Sequence, residues 1–227
     1  MTTVTALLPM KAHSERVPGK NTRVIVGRPL FHWVLSALLA SPHISRVVIN
    51  TDSEPIAQDA AGISEHVHIH VRPAELCGDD VSMNRIIAHD VALLGEGHYL
   101  QAHATSPLLT PETISRAVAQ YFAALSGHDS LFGVTRLQTR LYSAGGSPMN
   151  HDPATLLRTQ DLEPVFEENS SLYLFSAEGF RRANDNRIGT SAAMFEVGRI
   201  EAVDIDDEAD WILAETLLEM RRRGDIA

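Results

Sequence analysis

Cysteine is nearly absent from this chain of 227 residues: Cys77 stands alone, so no internal disulfide can form and a reducing compartment is the expected setting. The plain reading of Cys77 is a small, half-buried thiol. Long apolar runs are missing as well. No stretch approaches the ~20 residues needed to cross a bilayer, and no charged leader precedes the first apolar segment, so a cytoplasmic protein with no membrane partner is expected. Positive charge is scarce, 19 Lys and Arg against 29 Asp and Glu for a formal charge of -10. That balance excludes the broad basic face that nucleic-acid binding needs. Lysine is scarcer still, with only Lys11 and Lys20 in the whole chain. What remains is enough for one large α/β domain with a full core. No internal repeat or low-complexity segment divides it, and a single domain over 1–227 is expected.

Both lysines fall in one stretch, Leu7 to Asn21, where an apolar run breaks into a loop punctuated by Pro9, Pro18 and Gly19. Arg16 within it and Arg23 just beyond it add to the charge. A lysine ammonium is a compact point charge able to follow a phosphate oxygen, whereas a guanidinium is a rigid fork. Concentrating both lysines in a loop after a strand therefore points to a polyphosphate cradle, against the plainer alternative of a basic surface loop. The loop is neither GxxxxGK[ST] nor GxGxxG. A basic mouth in an acidic surface would focus the field on an anionic ligand.

Hydrophobic periodicity places strands at Val4 to Leu8, Arg46 to Asn50, Glu65 to Val71, His98 to Ala104, Leu131 to Leu137 and Asn169 to Phe175, with a short extended piece at Met194 to Val197. Helices are expected from Gly27-Arg28-Pro29 to Ala40, with proline in the first turn, and from Glu54 to Ala61, capped by Asp52 or Ser53. Others run from Ser82 to Leu94, from Pro111 to Leu125 with Thr110 as cap, over Ala177 to Ala183, and from Asp207 to Arg223. Strand and helix alternate as in a doubly wound sheet, whose ligand crevice lies at the carboxyl ends of the strands. Residues 138–168 lack periodicity and are rich in Gly, Pro, Asn and Asp. So long an excursion reads as a functional flap or a subunit-contact arm.

His66, His68 and His70 alternate along one strand face, but no partner set of cysteines or carboxylates completes a zinc site, and an edge face is the better reading. Asp204 and Asp206 alternate around Ile205, so their carboxylates share one side. Two same-side carboxylates form a hard-oxygen site suited to Mg²⁺, which keeps several waters and takes further ligands from phosphates. Helix capping is the competing role for acidic residues here, and it falls to Asp207 and Glu208. A cationic loop after the first strand and a carboxylate pair near the chain's end together describe a nucleotidyl transferase, with Lys11, Arg16 and Lys20 on the triphosphate.

The stretch KAHSERVPGKN, Lys11 to Asn21, resembles the nucleotide loop of the acylneuraminate cytidylyltransferases. NTDSE from Asn50, RPAEL from Arg72, TSPL from Thr105, NSSLYLF from Asn169 and DIDDEAD from Asp204 match further blocks of that family in order. The resemblance implies a three-layer, Rossmann-like nucleotide-diphospho-sugar transferase fold, with a mostly parallel sheet, helices on both faces and a dimerisation arm at about 138–168. It implies transfer of CMP from CTP to the anomeric hydroxyl of a 2-keto-3-deoxy sugar acid, giving a CMP-sugar and pyrophosphate in a homodimer. Lys11, Ser14, Arg16, Lys20, Asn21, Arg72 and Ser82 would then bind the nucleotide, Arg72 at its cytosine end. His103, Thr105, Ser106 and Asn169 would bind the acceptor, Asp204 and Asp206 the magnesium, and Lys11, Lys20 and Asp206 would carry catalysis. Activation of a 3-deoxy-octulosonate-type acid and a non-catalytic nucleotide-sugar binding protein are the alternatives.

Three departures from the family pattern bear on the acceptor. Lys11 stands where many members have arginine, His103 where sialic-acid-activating members commonly have glutamine, and Leu109 replaces the arginine of TSPLR. His103 is expected to face the sugar, either binding its carboxylate or hydroxyls or deprotonating the attacking hydroxyl with a pKa near neutrality.

Overall fold

The computed structural model describes residues 3–155 and 157–226. Its strands are β1 (Val4–Leu7), β2 (Val24–Ile25), β3 (Arg28–Pro29), β4 (Ile44–Thr51), β5 (Val67–Val71), β6 (His98–Ala102), β7 (Ser130–Leu137), β8 (Val165–Ser176) and β9 (Ala192–Glu196). The helices are α1 (Leu30–Ala40), α2 (Glu54–Ala61), α3 (Met83–Leu94), α4 (Pro111–Ala124), α5 (Ala177–Arg182) and α6 (Glu208–Arg223). Seven strands form the central sheet in the order β5-β4-β1-β6-β8-β7-β9. Neighbours are parallel except at β8, which runs antiparallel to both β6 and β7. The fold is thus α/β with a mostly parallel sheet, as expected.

The chain winds outward from β1 to β4 and β5, then returns to β6 on the other side of β1. Such a reversal opens a crevice at the carboxyl ends of the strands. The loop after β1 and the segment after β6 both empty into it.

Side chains of β1 alternate between two cores, as the period of two requires. Val4 and Ala6 pack with Phe31, Val34 and Leu38 of α1 and with Ile114 and Val118 of α4. Leu7 packs on the opposite face with Ile87 and Val91 of α3 and with Phe180 of α5. A third cluster joins Trp211, Ala214 and Leu218 of α6 to Val17, Ile25 and Leu30 from the N-terminal loop region, and to Leu108 and Ile205. Each large side chain so buried stabilises by about 1.5–3 kcal/mol. This cluster fastens the end of the chain to its first loop.

The helix caps are local and follow the sequence. Ser53 Oγ accepts from the Ile56 N–H and Thr110 Oγ1 from the Thr113 N–H. Asp207 and Asp210 form a reciprocal capping box at α6, whose last turn carries Arg221, Arg222 and Arg223 before the left-handed Gly224. α1 differs from expectation. Val26 and Gly27 both have positive φ, 46° and 85°, and turn the chain into the two-stranded β2–β3 hairpin. Pro29 therefore closes a strand and caps α1 from outside its first turn.

The long excursion is also shorter than expected. β7 and β8 keep pairing as far as Leu137 and Val165, so residues 165–168 belong to a strand and 138–164 form the loop. Side chains tie that loop to itself, with Asn150 Nδ2 donating to the Thr139 carbonyl at 2.7 Å and Arg140 Nη2 to the Leu157 carbonyl at 2.5 Å. Tyr142, Met149, Leu157 and Phe166 are exposed on it or at its base. Among the described residues, no helix is long and apolar enough to cross a membrane.

Candidate active site

At the carboxyl ends of β1 and β6 a cavity of about 450 Å³ is lined by Lys11, Ser14, Arg16, Lys20, Asn21, Arg72, His103 and Thr105, among others. Eight of the residues singled out from the sequence therefore share one wall system. Ser82 and Ser106 do not join them. Ser82 is exposed at the N-cap of α3, where its neighbours Val81 and Met83 meet the cavity instead. Ser106 is fully buried, with its Oγ sealed away from solvent.

The cationic side chains are spread across the mouth rather than gathered at a point. Lys11 Nζ meets Asp79 at 2.5 Å and Arg16 Nη2 meets Asp206 at 2.6 Å, both in exposed pairs of small net worth. Lys20 Nζ donates to the Ile205 carbonyl at 2.6 Å. Burial lowers the Lys20 pKa, while Asp204 and Asp206 pull it back up. Asn21 Nδ2 donates to the Lys11 carbonyl at 3.1 Å and holds the loop's two ends together. Arg72 is buried and committed: Nε donates to Asn50 Oδ1 at 2.8 Å, and Nη2 to the Met10 and Asn50 carbonyls at 3.0 and 2.9 Å. Asn50 in turn donates to the buried Asp90, which also receives His70 Nδ1 at 2.7 Å. Of the three alternating histidines, His70 is thus turned toward α3, while His68 is exposed on edge strand β5 and His66 lies in the turn before it.

Asp204 and Asp206 line a second cavity of about 350 Å³, together with Asn169, Thr135, Glu167, Glu168 and Asp210. The DID segment is irregular rather than a strand, yet Ile205 is fully buried against α6 and the two carboxylates face the same cavity, as alternation requires. Asp204 Oδ1 is sealed from solvent with no hydrogen-bond partner among the described residues. Burial raises the Asp204 pKa, Thr105 opposes the rise and Asp206 adds to it. An unpartnered carboxylate oxygen costs about 1–3 kcal/mol, and a cation between the two aspartates would relieve it. Arg16 already places a positive group on Asp206. The pair therefore fits a hard divalent ion that takes the rest of its shell from water and phosphate. Among the described residues, no group of three or more His, Cys, Asp or Glu side chains is arranged to hold a metal alone.

Asn169 is set by a bulge. β8 passes from Tyr173 to Glu168 while β7 advances only from Phe132 to Val134. The surplus residues include Ser170 at φ 58°. Asn169 Oδ1 accepts from the Ser171 N–H at 3.2 Å and from Ser171 Oγ at 2.7 Å, and its Nδ2 donates to Thr135 Oγ1 at 3.1 Å. Gly133 faces this bulge, and a Cβ there would stand 2.7 Å from Ser171 Oγ and 2.8 Å from Asn169 Oδ1.

His103 corrects one expectation. Its ring keeps some surface at the cavity wall, but Nε2 is sealed and without a partner among the described residues. Burial first, then the charges of Arg187 and Lys20, lower its pKa to about 3. The ring is neutral at physiological pH and far too weak a base for the near-neutral titration expected of it. A neutral imidazole still carries one donor and one acceptor nitrogen. Leu109, in place of arginine, is 2% exposed and packs in the main core, so it does not face the site. Sequence reasoning missed Asp79, Glu168, Tyr173 and Arg187, which lie in segments without a periodic signal or read as plain strand.

A family model for cytidylyltransferases matches residues 5–196. The chain belongs to the cytidylyltransferase family. It is 30% identical over 220 residues to an N-acylneuraminate cytidylyltransferase of Oncorhynchus mykiss, covering 93% of this chain and 49% of that protein. The chain thus spans about half the length of that relative. It is 27% identical to a CMP-N,N'-diacetyllegionaminic acid synthase of Legionella pneumophila subsp. pneumophila, covering 97% of this chain and 98% of that protein. A solved CMP:2-keto-3-deoxy-manno-octonic acid synthetase in complex with CTP superposes with a TM-score of 0.70 at 14% identity, covering 97% of this chain and all of that one. That likeness extends the fold assignment made from the sheet order.

Proposed function

We propose that this cytidylyltransferase-family protein transfers CMP from CTP to the anomeric hydroxyl of a 2-keto-3-deoxy sugar acid of the N-acylneuraminate kind, releasing pyrophosphate. The observation that carries the reading is the meeting of Arg16 and Lys20 with the Asp204–Asp206 segment, although the bonded groups stand 190 and 185 positions apart. A cationic loop and a carboxylate pair brought together across the whole chain supply both halves of a nucleoside triphosphate site.

In this reading Lys11, Arg16 and Lys20 receive the triphosphate, exchanging their present carboxylate and carbonyl partners for phosphate oxygens. Charge growing on the departing pyrophosphate strengthens those contacts most in the transition state, which is where they accelerate the reaction. Ser14 and Asn21 shape the loop around the phosphates. Arg72, pinned at the ends of β1 and β4, presents a fixed edge to the cytosine end, and Ser82 stands at the start of α3. His103, Thr105, Ser106 and Asn169 belong to the acceptor side. The neutral His103 ring positions a hydroxyl rather than removing its proton, and Ser106 stays behind the wall without touching the acceptor. Asp204 and Asp206 would hold Mg²⁺, which neutralises phosphate charge and aligns it for displacement when bound. Alignment of the acceptor hydroxyl with the α-phosphorus by these fixed groups is the main contribution of the chain.

The loop at 138–164 is assigned as the contact arm of a homodimer, on one domain that spans the chain and acts in the cytoplasm. Replacing Asp206 with asparagine tests the metal role. Asp206→Asn should lower Mg²⁺-dependent pyrophosphate release by about 10²-fold or more without lowering the melting temperature. A near-normal rate would remove Asp206 from the metal site.

A further inference from the structure

Six arginines, Arg16, Arg23, Arg158, Arg181, Arg182 and Arg223, stand in ion pairs with a carboxylate. Arg187, in the segment between α5 and β9, has none among the described residues. It is nevertheless held still. Nη1 donates to Gln101 Oε1 at 2.7 Å, and the guanidinium carbon lies 3.8 Å over the Tyr173 ring. Gln101 and Tyr173 are themselves fully buried. The carboxylate that biases Arg187 electrostatically, Glu168, is engaged by the Tyr173 hydroxyl. A desolvated guanidinium held rigid by a ring face and a neutral amide is poised for a planar anion, because its remaining N–H groups keep the fork geometry that matches a carboxylate.

Its surroundings place that anion on the acceptor side. Gln101 and His103 project from the end of β6, and the His103 ring lies 6.3 Å from that of Tyr173. His103 lines the first cavity and Glu168 the second, so the guanidinium has neighbours in both. We infer that Arg187 anchors the carboxylate of the acceptor sugar acid, beside the neutral His103 ring. The anomeric hydroxyl of a 2-keto acid sits on the carbon next to its carboxylate, so fixing the carboxylate fixes the attacking group. This rests on the sugar-acid transferase reading. The lowered pKa of His103, to which Arg187 contributes, agrees with a cation beside that ring.

The test uses the intact protein with CTP, Mg²⁺ and N-acetylneuraminate, N,N'-diacetyllegionaminate or 3-deoxy-manno-octulosonate, each also supplied as its methyl ester. Arg187→Gln should raise the KM for the acid by about 30-fold, leave the CTP KM within about twofold, and abolish the wild-type preference for acid over ester. Arg187→Lys should restore part of the loss by returning the charge without the fork. An unchanged acid KM, an equal rise in both KM values, or an ester preference that survives Arg187→Gln would overturn the assignment. If Arg187→Gln does not fold, Arg187→Lys is held to the same split between acid and CTP. If the wild type turns over none of the acids, the transferase reading fails by itself, and melting decides the anchor. An acid that stabilises the wild type but not the Arg187 variant supports it, and equal shifts, or none, overturn it.

Discussion

A histidine at the end of a buried strand can be a base, a ligand or a neutral hydrogen-bonding group, and only its surroundings decide. The position of His103 beside the TSPL block was legible in the sequence. Its protonation was not, because it is set first by burial and then by Arg187 and Lys20, which reach it from segments far away in the chain. The consequence for stability has a definite sign. With a folded pKa of about 3, far below its unfolded value, His103 takes up protons only on unfolding, so its contribution is intact above that unfolded value and is lost as pH falls toward 3. From pH 7 to pH 5 this amounts to up to about 2 kcal/mol. Thermal melts should show wild type losing more stability over that interval than His103→Gln, and parallel losses would contradict the buried neutral ring. Leu109 carries the same lesson. As a departure from a family pattern it hinted at altered specificity, yet its side chain is in the core.

Helices and their caps were the most readable elements, since Ser53, Thr110 and Asp207 act on N–H groups two or three residues away. The β8 bulge was not readable. It depends on register against β7, and cross-strand partners are remote in sequence. The hairpin at Val26-Gly27 was missed for a different reason: a β-branched residue at positive φ runs against local preference. Gly133 is the residue on which the bulge turns. Gly133→Ala would push a methyl group into Ser171 Oγ and Asn169 Oδ1. A loss of about 1–3 kcal/mol is expected from such overpacking, read as a lower melting temperature, with acceptor KM rising more than CTP KM because Asn169 moves. An alanine variant of wild-type stability and kinetics would show that the bulge does not position Asn169.

Across the whole molecule, the packing of α6 brings the last segment of the fold to the first loop. The reversal at β1 opens the crevice, and α6 packs its Trp211 face against Val17 and Ile25, bringing Asp204 and Asp206 to the cationic loop. The existence of both halves of the site was visible in residue types and spacing. Their meeting required the sheet, and the second, acidic cavity drew on Glu167 and Glu168 from a strand that alternation alone did not mark. Tyr142, Met149 and Leu157 are exposed on the loop, and the proposed homodimer would bury them. Sedimentation should find a dimer that dissociates when these three are replaced by serine, and a wild-type monomer would contradict that arm contact.

CTP-dependent activation of a sugar acid is read at its second product, pyrophosphate. The protein is given Mg²⁺ and each of CTP, UTP, ATP and GTP with a panel of 2-keto-3-deoxy sugar acids. Release with CTP and a member of the panel, and with no other nucleotide, is the predicted result. No release with CTP and any acid of the panel, or equal release with all four nucleotides, would contradict the account.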